Sequence, residues 1–291
     1  MSPSENPADV LGNIGFMARS PLYETEKPHV FIPAPGSGTL PVGNVELEHK
    51  DVLIHDVRKF NARLSVNGFQ VAKHESKHLG LKTESDAALY KGETEKFLQS
   101  IFPDADRIVT WDLRRRKNID RSAVVASANG EVQIDAPAQA AHVDTSFNHG
   151  AQLLERYLPP ELQAEYLKPG SGYRFQVINT WRTLNPVLED CPLALCDFAS
   201  METGDIQETT LTYPDKKGEI YHVYHNPNQR WYWYPMQTPS DLFVFLNYDS
   251  ESGSDAKYCA HTSFRNPLAG PDTQLRESVE TRSIVITRLQ E

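Results

Sequence analysis

The chain is poor in cysteine and contains no long run of apolar residues. Its 291 residues include three cysteines, Cys191, Cys196 and Cys259, whose odd number and spacing fit neither a disulfide framework nor a cysteine metal site. A membrane-spanning helix needs about 20 consecutive apolar residues, and no segment approaches that length. The first residues also lack the apolar stretch of a secretion signal. These absences predict a soluble protein of the cytoplasm.

The chain also lacks an excess of basic residues. It has 29 lysines and arginines against 39 acidic residues, for a formal net charge of −10. That charge argues against an electrostatic nucleic-acid binder and gives no reason to expect attraction to anionic membranes. The hydrophobic content of 39% is enough to fill a core. We therefore expect a small molecule as the binding partner of a protein that acts as a monomer or homodimer.

The most informative motif is the pair His142 and Asp144, which stands in the run Ala-Ala-His-Val-Asp-Thr-Ser. On a strand, residues i and i+2 point the same way, roughly 7 Å apart, so both side chains can reach one metal ion. His261, in Cys-Ala-His-Thr-Ser-Phe, lies on a second strand-like run. Two histidines and one carboxylate can occupy one face of Fe(II) and leave three positions open. These three residues are the predicted metal ligands and catalytic centre.

A basic element follows the second histidine. Arg276 and Ser278 open a strongly β-like run that continues through Arg282. An arginine fork binds a carboxylate through two hydrogen bonds, and a neighbouring hydroxyl can add a third. A dicarboxylate such as 2-oxoglutarate needs such a cation, because its oxo-acid end chelates iron and its far carboxylate lies several ångströms away. Arg282 lies on the same strand face and is the second candidate, with a surface salt bridge as the alternative.

The periodicity of the chain predicts mainly β structure with supporting helices. Residues 1–43, rich in Pro, Gly and Ser, are expected to form an irregular arm, and residues 44–291 a single catalytic domain. One helix is predicted over 86–102 with Ser85 as its N-cap and Leu89 on its inner face, and two shorter helices over 148–158 and 160–167. Many short strands follow, which is typical of a β-sandwich or barrel. They are expected at 174–181, 192–197, 209–213, 219–224, 230–234, 241–246 and 278–288.

Other candidate residues have structural interpretations that the sequence favours. His149 is expected to cap a helix or lie on the surface. His74 and His78 have helical spacing that could hold zinc, but no third ligand is nearby. For the basic cluster at 114–117, structural ion pairs and substrate binding are equally supported interpretations. Tyr90, Trp111 and Arg114 are weak candidates for substrate contacts.

Several motifs, taken in order, resemble one family. They are Leu-Ser-Val-Asn-Gly-Phe at 64–69, Ala-His-Val-Asp at 141–144, Asn-Thr-Trp-Arg at 179–182, Pro-Leu-Ala-Leu-Cys-Asp at 192–197, His-Thr-Ser-Phe at 261–264 and Arg-Glu-Ser-Val-Glu-Thr-Arg at 276–282. The set resembles the fungal non-haem iron hydroxylases and desaturases related to the cephem methoxylase component, including the aspergillic acid hydroxylase and gibberellin desaturase types. The resemblance covers about residue 44 to the end.

This resemblance implies a double-stranded β-helix, the jelly-roll or cupin-like fold, with Fe(II), 2-oxoglutarate and O₂. It implies His142, Asp144 and His261 as iron ligands and Arg276 with Ser278 as the co-substrate carboxylate site. Asn179 and Trp181 match a family signature. They are predicted to belong to the co-substrate site, without an assigned role.

The leading hypothesis is an Fe(II)/2-oxoglutarate-dependent dioxygenase that oxidises an unactivated C–H bond of a small molecule in fungal secondary metabolism. Hydroxylation, desaturation and oxidative ring closure all stay open. The alternatives are an iron oxidase of the same fold that does not use 2-oxoglutarate, and a non-catalytic jelly-roll binding protein.

Overall fold

The structure is a computed structural model that describes residues 9–251, 253 and 255–289. Strands dominate it, in the order β1 (Val10–Met17), β2 (His29–Phe31), β3 (Val42–Gly43), β4 (Leu47–Asp56), β5 (Phe69–Lys73), β6 (Ala105–Lys117), β7 (Ile134–Asp135), β8 (His142–Val143), β9 (Tyr173–Thr183), β10 (Leu193–Cys196), β11 (Ile206–Thr212), β12 (Lys217–Val223), β13 (Trp231–Trp233), β14 (Asp241–Asp249), β15 (His261–Ser263) and β16 (Glu277–Arg288). The α-helices are α1 (Leu64–Asn67), α2 (Glu84–Ile101), α3 (Phe147–Tyr157) and α4 (Pro160–Tyr166). Of the helices in the described residues, none combines the length and apolar character needed to cross a membrane.

The strands form two sheets. The larger has the order β1-β4-β13-β10-β15-β8-β12-β11-β2-β3, and the smaller has the order β5-β14-β9-β16-β6-β7. Side chains from both sheets meet in one buried cluster, where Leu193 and Leu195 of β10 pack with Trp181 of β9 and Phe243 and Phe245 of β14. The two sheets therefore lie face to face, as in a sandwich whose inner faces exclude water.

Helices cover the outer face of the smaller sheet. On α2, Phe97 and Leu98 pack in one cluster with Ile178 of β9 and Val285 of β16. Strands β9 and β14 read as nearly continuous buried runs, because a helix layer covers one face and the larger sheet the other. Helix α3 comes so close to β14 that a Cβ on Gly150 would lie 2.2 Å from the Tyr248 ring.

The first helix begins earlier than the sequence indicated. Thr83, not Ser85, is the N-cap of α2, since its hydroxyl accepts from the amide of Asp86 while the Asp86 carboxylate accepts from the Thr83 amide. Leu89, predicted to face inward, is 56% exposed, and the neighbouring Tyr90 is buried instead. The two shorter helices agree with α3 and α4 within a residue or so.

The described part of the predicted irregular arm contains strands β1, β2 and β3, so that expectation is wrong for residues 10–17, 29–31 and 42–43. Strand β1 pairs antiparallel with β4 along its whole length, and β2 pairs parallel with β11. Gly12, one of the glycines behind that expectation, meets a packing requirement, because a Cβ at this position would lie 2.5 Å from Ile54 and 2.8 Å from Phe264. Residues 1–8 lie outside the described residues. The division of the chain into an arm and one domain stays a prediction.

The three cysteines are free thiols, and Cys196 and Cys259 are completely buried in the core. Burial raises the pKa of Cys196 and Cys259 above the ordinary value of a thiol. Cys191 is half-buried, and its pKa is raised for the same reason.

Candidate metal centre

Strand β8 brings the predicted triad together. It lies between β12 and β15, and His142 is paired in register with His261 on β15. The two imidazole ring centroids are 4.4 Å apart. The sequence suggested that His142 and Asp144 lie on one strand as residues i and i+2. In the structure Asp144 lies one residue past the end of β8. One ligand atom from each of the three residues lies within 4.8 Å of the others.

Backbone carbonyls orient both imidazoles. Nδ1 of His142 lies 2.8 Å from the Ala140 carbonyl oxygen, and Nδ1 of His261 lies 3.1 Å from that of Cys259. Because a carbonyl oxygen can only accept, Nδ1 carries a proton in each ring, and Nε2 is the nitrogen that faces the Asp144 carboxylate. These Nε2 atoms lie 3.4 Å and 3.9 Å from the Asp144 carboxylate. Burial lowers the pKa of His261 to about 3, so this ring is neutral at physiological pH.

Asp144 is held as a carboxylate. Burial alone would raise its pKa, but the charge of Arg282 and the two histidines hold the pKa well below its ordinary value. Nη2 and Nε of Arg282 lie 3.0 Å and 3.1 Å from the two carboxylate oxygens. The side-chain amide of Asn179 donates to the same carboxylate at 2.8 Å. An ionised oxygen donor therefore stands beside the Nε2 atoms of two imidazoles.

Arg282 is engaged by three carboxylates. Besides Asp144, it pairs with Asp112 at 3.0 Å and with Glu280 at 3.1 Å. Burial and the neighbouring charge of Asp144 raise the pKa of Glu280. Asn179 also donates to Glu280 at 3.1 Å, which links all of these groups in one buried network. Arg282 therefore has little capacity left for another anion.

Arg276 is in the opposite situation. It is 2% exposed, and no carboxylate of the described residues pairs with its side chain. Its guanidinium donates to the Ser278 hydroxyl at 3.2 Å and to the Cys191 carbonyl at 2.9 Å, and lies 5.3 Å from the centroid of the Trp181 ring. Burial lowers the pKa of Arg276, which is the sign of a cation without a compensating charge.

One cleft contains both the triad and this arginine. It encloses about 300 Å³ and is lined by the triad together with Arg116, Trp181, Leu193, Arg276 and Glu280, among others. Ser278 is buried behind Arg276, and Asn179 contacts Asp144 from β9. The predicted co-substrate residues are thus close together, except that Arg282 faces the acidic network rather than this cleft.

A second cleft, of about 600 Å³, shares Asp144 with the first. Its walls include Arg282, the stacked pair Trp111 and Tyr157, and residues of α3, β11 and β12. The ring centroids of that pair are 5.3 Å apart with an interplanar angle of 18°. Trp111 and Arg114, weak candidates in the sequence, both line this space, whereas Tyr90 is buried beside Arg182.

The sequence did not reveal the role of Asn247. Its side-chain oxygen accepts from the Asp144 amide at 3.1 Å. It stands at a break in the pairing of β14 with β9, between Leu246 and Tyr248, where a bulge turns its side chain toward the site. The available signal was an asparagine within an otherwise apolar buried run, a residue type rarely buried without a specific partner.

The competing histidines do not form a second metal site among the described residues. His149 is buried, so its predicted surface placement is wrong; the hydroxyl of Ser146 caps α3 by accepting from the His149 amide. His74 and His78 lie beyond β5 rather than on a helix, and His74 contacts Arg182. His222, opposite His142 in the sheet, contacts the Thr209 hydroxyl at 2.9 Å.

Two facing sheets around an open cluster of two histidines and one aspartate define a jelly-roll protein with the donor set of a non-haem iron site. The chain belongs to the family described as "Oxidoreductase/YMDC permease-like domain", whose model matches residues 16–286. That match begins well before residue 44, where the resemblance in the sequence was placed.

Several curated fungal proteins are similar to the chain. The hydroxylase/desaturase efuI of Hormonema carpetanum is 26% identical over 273 residues, covering 87% of this chain and 89% of its own. Aspirochlorine biosynthesis protein N of Aspergillus oryzae is 34% identical over 139 residues, covering 47% of this chain and 56% of its own. The alpha-ketoglutarate-dependent dioxygenase tstK of Talaromyces stipitatus is 33% identical over 155 residues, covering 52% of this chain and 53% of its own. The match thus spans only a little over half the length of the latter two. The predicted resemblance to the fungal hydroxylases and desaturases is confirmed.

Among solved structures, the chain is similar to the iron and alpha-ketoglutarate-dependent endoperoxidase NvfI. The TM-score is 0.77 with 21% sequence identity, covering 96% of this chain and 98% of that one. This likeness confirms the predicted mainly β, jelly-roll fold.

Proposed function

We propose that this protein is an Fe(II)/2-oxoglutarate-dependent dioxygenase that oxidises an unactivated C–H bond of a small molecule in fungal secondary metabolism. One observation carries the proposal: a buried, uncompensated arginine and an open His-Asp-His cluster face the same cleft. The names of the similar proteins, which include a hydroxylase/desaturase and an alpha-ketoglutarate-dependent dioxygenase, support the same class.

The residues present fit Fe(II). His142, Asp144 and His261 offer two imidazole Nε2 atoms and one ionised oxygen, the set that binds non-haem iron and leaves positions for a second ligand. The buried Asn247 Nδ2 and Asn179 Oδ1 have no hydrogen-bond partner among the described residues, so the site has unsatisfied polar atoms beside the triad. With 2-oxoglutarate and O₂, iron supplies the oxidising chemistry, and succinate and CO₂ are the by-products.

Arg276 and Ser278 are placed to bind the far carboxylate of 2-oxoglutarate. Arg276 keeps guanidinium hydrogens for a bidentate contact, and the Ser278 hydroxyl adds a further polar group. The Trp181 ring fixes the guanidinium plane from one side. An incoming carboxylate supplies the charge that the buried Arg276 lacks. Arg282, saturated by its three carboxylates, instead keeps Asp144 ionised and oriented.

The other functions considered in the sequence are less well supported. A non-catalytic binding protein has no need of an ionised aspartate aligned with the Nε2 atoms of two histidines. An oxidase that does not use 2-oxoglutarate requires Arg276 to hold a carboxylate of the substrate instead. A small-molecule substrate, a cytoplasmic location and a monomeric or homodimeric state belong to the same proposal. The three free cysteines support the cytoplasmic location.

Anaerobic titration with Fe(II) and then 2-oxoglutarate tests the proposal. We expect a weak visible charge-transfer band that needs both additions and that the Arg276→Gln variant forms only at much higher 2-oxoglutarate concentration. Arg107→Gln, which removes an exposed cation on β6, is the matched control and should behave as the unaltered protein. Iron binding without the band would favour the oxidase, and no iron binding would favour the binding protein.

A further inference from the structure

The second cleft contains cations that no acidic side chain neutralises. Arg156 of α3 and Lys216, just before β12, line the cleft, and neither pairs with a carboxylate of the residues that the structure describes. Arg156 donates to the Lys217 carbonyl at 3.2 Å, and the Lys216 ammonium lies 5.5 Å from the centroid of the Tyr213 ring. Both charged groups therefore have hydrogen-bond donors to spare.

Apart from Lys217, the remaining charges of this cleft are already matched. Arg114 and Arg282 both pair with Asp112 at 3.0 Å. Asp144 is occupied by Arg282, and Glu219 by Lys27 and by the Ser146 hydroxyl. Once these pairs are set aside, the surplus charge at the cleft is positive, although the whole chain has a formal charge of −10. A locally positive cleft in a chain of negative net charge attracts an anionic ligand.

Apolar and aromatic side chains form other parts of the cleft wall. The stacked rings of Trp111 and Tyr157 offer a flat aromatic surface. Leu153, Val177, Leu211 and Ile220 complete the apolar lining. Apolar walls with a few polar groups bind the body of a ligand by burial and fix its orientation by those groups.

We infer that the substrate is an amphipathic carboxylate, an apolar or aromatic ring system with an anionic group that Arg156 and Lys216 receive. This inference rests on the proposed function, because it treats the second cleft as the substrate side of the centre that Arg276 serves for the co-substrate. With the anion bound by these cations and the ring system on Trp111, the apolar body is directed toward Asp144, which lines both clefts.

Binding of a matched pair of probes tests the inference. The full chain is loaded with Fe(II) and saturating 2-oxoglutarate under anaerobic conditions, so that the Arg276 site is filled. Binding of 2-naphthoate and of the uncharged 2-naphthamide is then measured by calorimetry. We expect the acid to bind at least about tenfold more tightly, the difference made by hydrogen bonds to a charged group.

Variants assign that preference to the two cations. The double variant Arg156→Gln/Lys216→Gln should bind the acid and the amide equally, whereas Arg156→Lys/Lys216→Arg should keep most of the preference. Lys96→Gln, which removes an exposed lysine of α2, is the control and should change nothing. Trp111→Leu should weaken the binding of both probes by a similar factor, because it removes the aromatic surface and no charge.

Three results would overturn the inference: equal affinity of the two probes for the unaltered protein, a preference for the acid that survives in the double glutamine variant, or no binding of naphthoate up to its solubility limit. The charge-transfer band is recorded in the same samples. Loss of the band in the unaltered protein would refute the proposed function, whereas a normal band without a preference for the acid would refute only the substrate class.

Discussion

The guanidinium of Arg282 contacts both carboxylate oxygens of Asp144, with Nη2–Oδ1 and Nε–Oδ2 distances of 3.0 Å and 3.1 Å. This pair fixes the plane of the one anionic donor in the candidate centre. The two arginines of this strand therefore differ in their partners. Arg282 pairs with carboxylates of the protein itself, whereas the Arg276 side chain pairs with no carboxylate of the described residues.

Replacing Arg282 should therefore destabilise the protein. Arg282→Gln leaves Asp144, Asp112 and Glu280 without their shared counter-ion, and breaking a buried pair on one side costs about 3–5 kcal/mol. Urea unfolding of the metal-free protein measures this loss. Arg107→Gln is the control. An unchanged free energy of unfolding would contradict the role of Arg282 as a counter-ion.

Arg276→Gln should have the opposite profile. It removes a buried charge that lacks a partner in the metal-free protein, so the free energy of unfolding should fall little or even rise. The 2-oxoglutarate KM should rise strongly, because loss of a charge-assisted contact to a buried carboxylate costs about 2–5 kcal/mol. Fe(II) affinity should stay nearly the same. A larger rise in KM for Arg282→Gln than for Arg276→Gln would reverse the assignment of the two arginines.

Each of His142→Ala, Asp144→Ala and His261→Ala should abolish activity, since each removes one of three proposed ligands. Iron bound per chain, measured after anaerobic loading and desalting, should fall sharply in all three. The circular dichroism spectrum should stay that of the unaltered protein. Zn(II) should support no turnover, because it has no redox chemistry. Near-normal turnover in any one variant, or activity with Zn(II), would refute the assignment.

Asn247→Leu tests the bulge on β14. The substitution removes the acceptor for the Asp144 amide while all three proposed ligands remain. Loss of such a supporting contact typically lowers metal affinity about 10–100-fold. Fe(II) titration followed by tryptophan fluorescence measures the change. Asn247→Asp, which keeps an acceptor oxygen at the same position, should retain more affinity than the leucine variant, and the reverse order would exclude this role.

The stability of the metal-free protein should depend on pH through His222. Burial lowers the pKa of His222 to about 3, whereas a histidine in the unfolded chain has a pKa of about 6.5. Between these values the unfolded chain binds a proton that the native protein does not, so the free energy of unfolding falls as pH decreases through this window. In His222→Gln the slope should be shallower by about 1.4 kcal/mol per pH unit in the middle of the window. His49→Gln, at an exposed position, should leave the slope unchanged.

The sequence predicted the members of the candidate site better than their arrangement. The type and order of His142, Asp144 and His261 were enough to expect a cluster, since few residue sets bind iron in this way. Their approach depends on β8 lying beside β15, a pairing between distant segments that local periodicity does not encode. For the same reason the choice between Arg276 and Arg282 stayed open, because it depends on which acidic side chains each arginine meets across the sheets.

Local features were misjudged where tertiary packing overrides composition. Gly12 suggested an irregular arm but allows a close approach to Phe264 within a paired strand. Ser85 was a plausible N-cap by residue type, yet Thr83 and Asp86 form a reciprocal pair two residues earlier. A bulge such as that at Asn247 adds one residue to one strand, and it becomes visible only when the partner strand is known.

The burial of the cysteines affects how readily their thiols are oxidised. Cys259 stands two residues before His261, and its carbonyl orients that imidazole. Thiols react with oxidants as thiolates, and burial raises the pKa of Cys259 and Cys196 so far that both stay protonated at neutral pH. A protein that combines iron with O₂ beside its own sulfur atoms thus carries them in their least oxidisable form. The burial that lets the Cys259 carbonyl orient His261 thus also keeps the Cys259 thiol protonated.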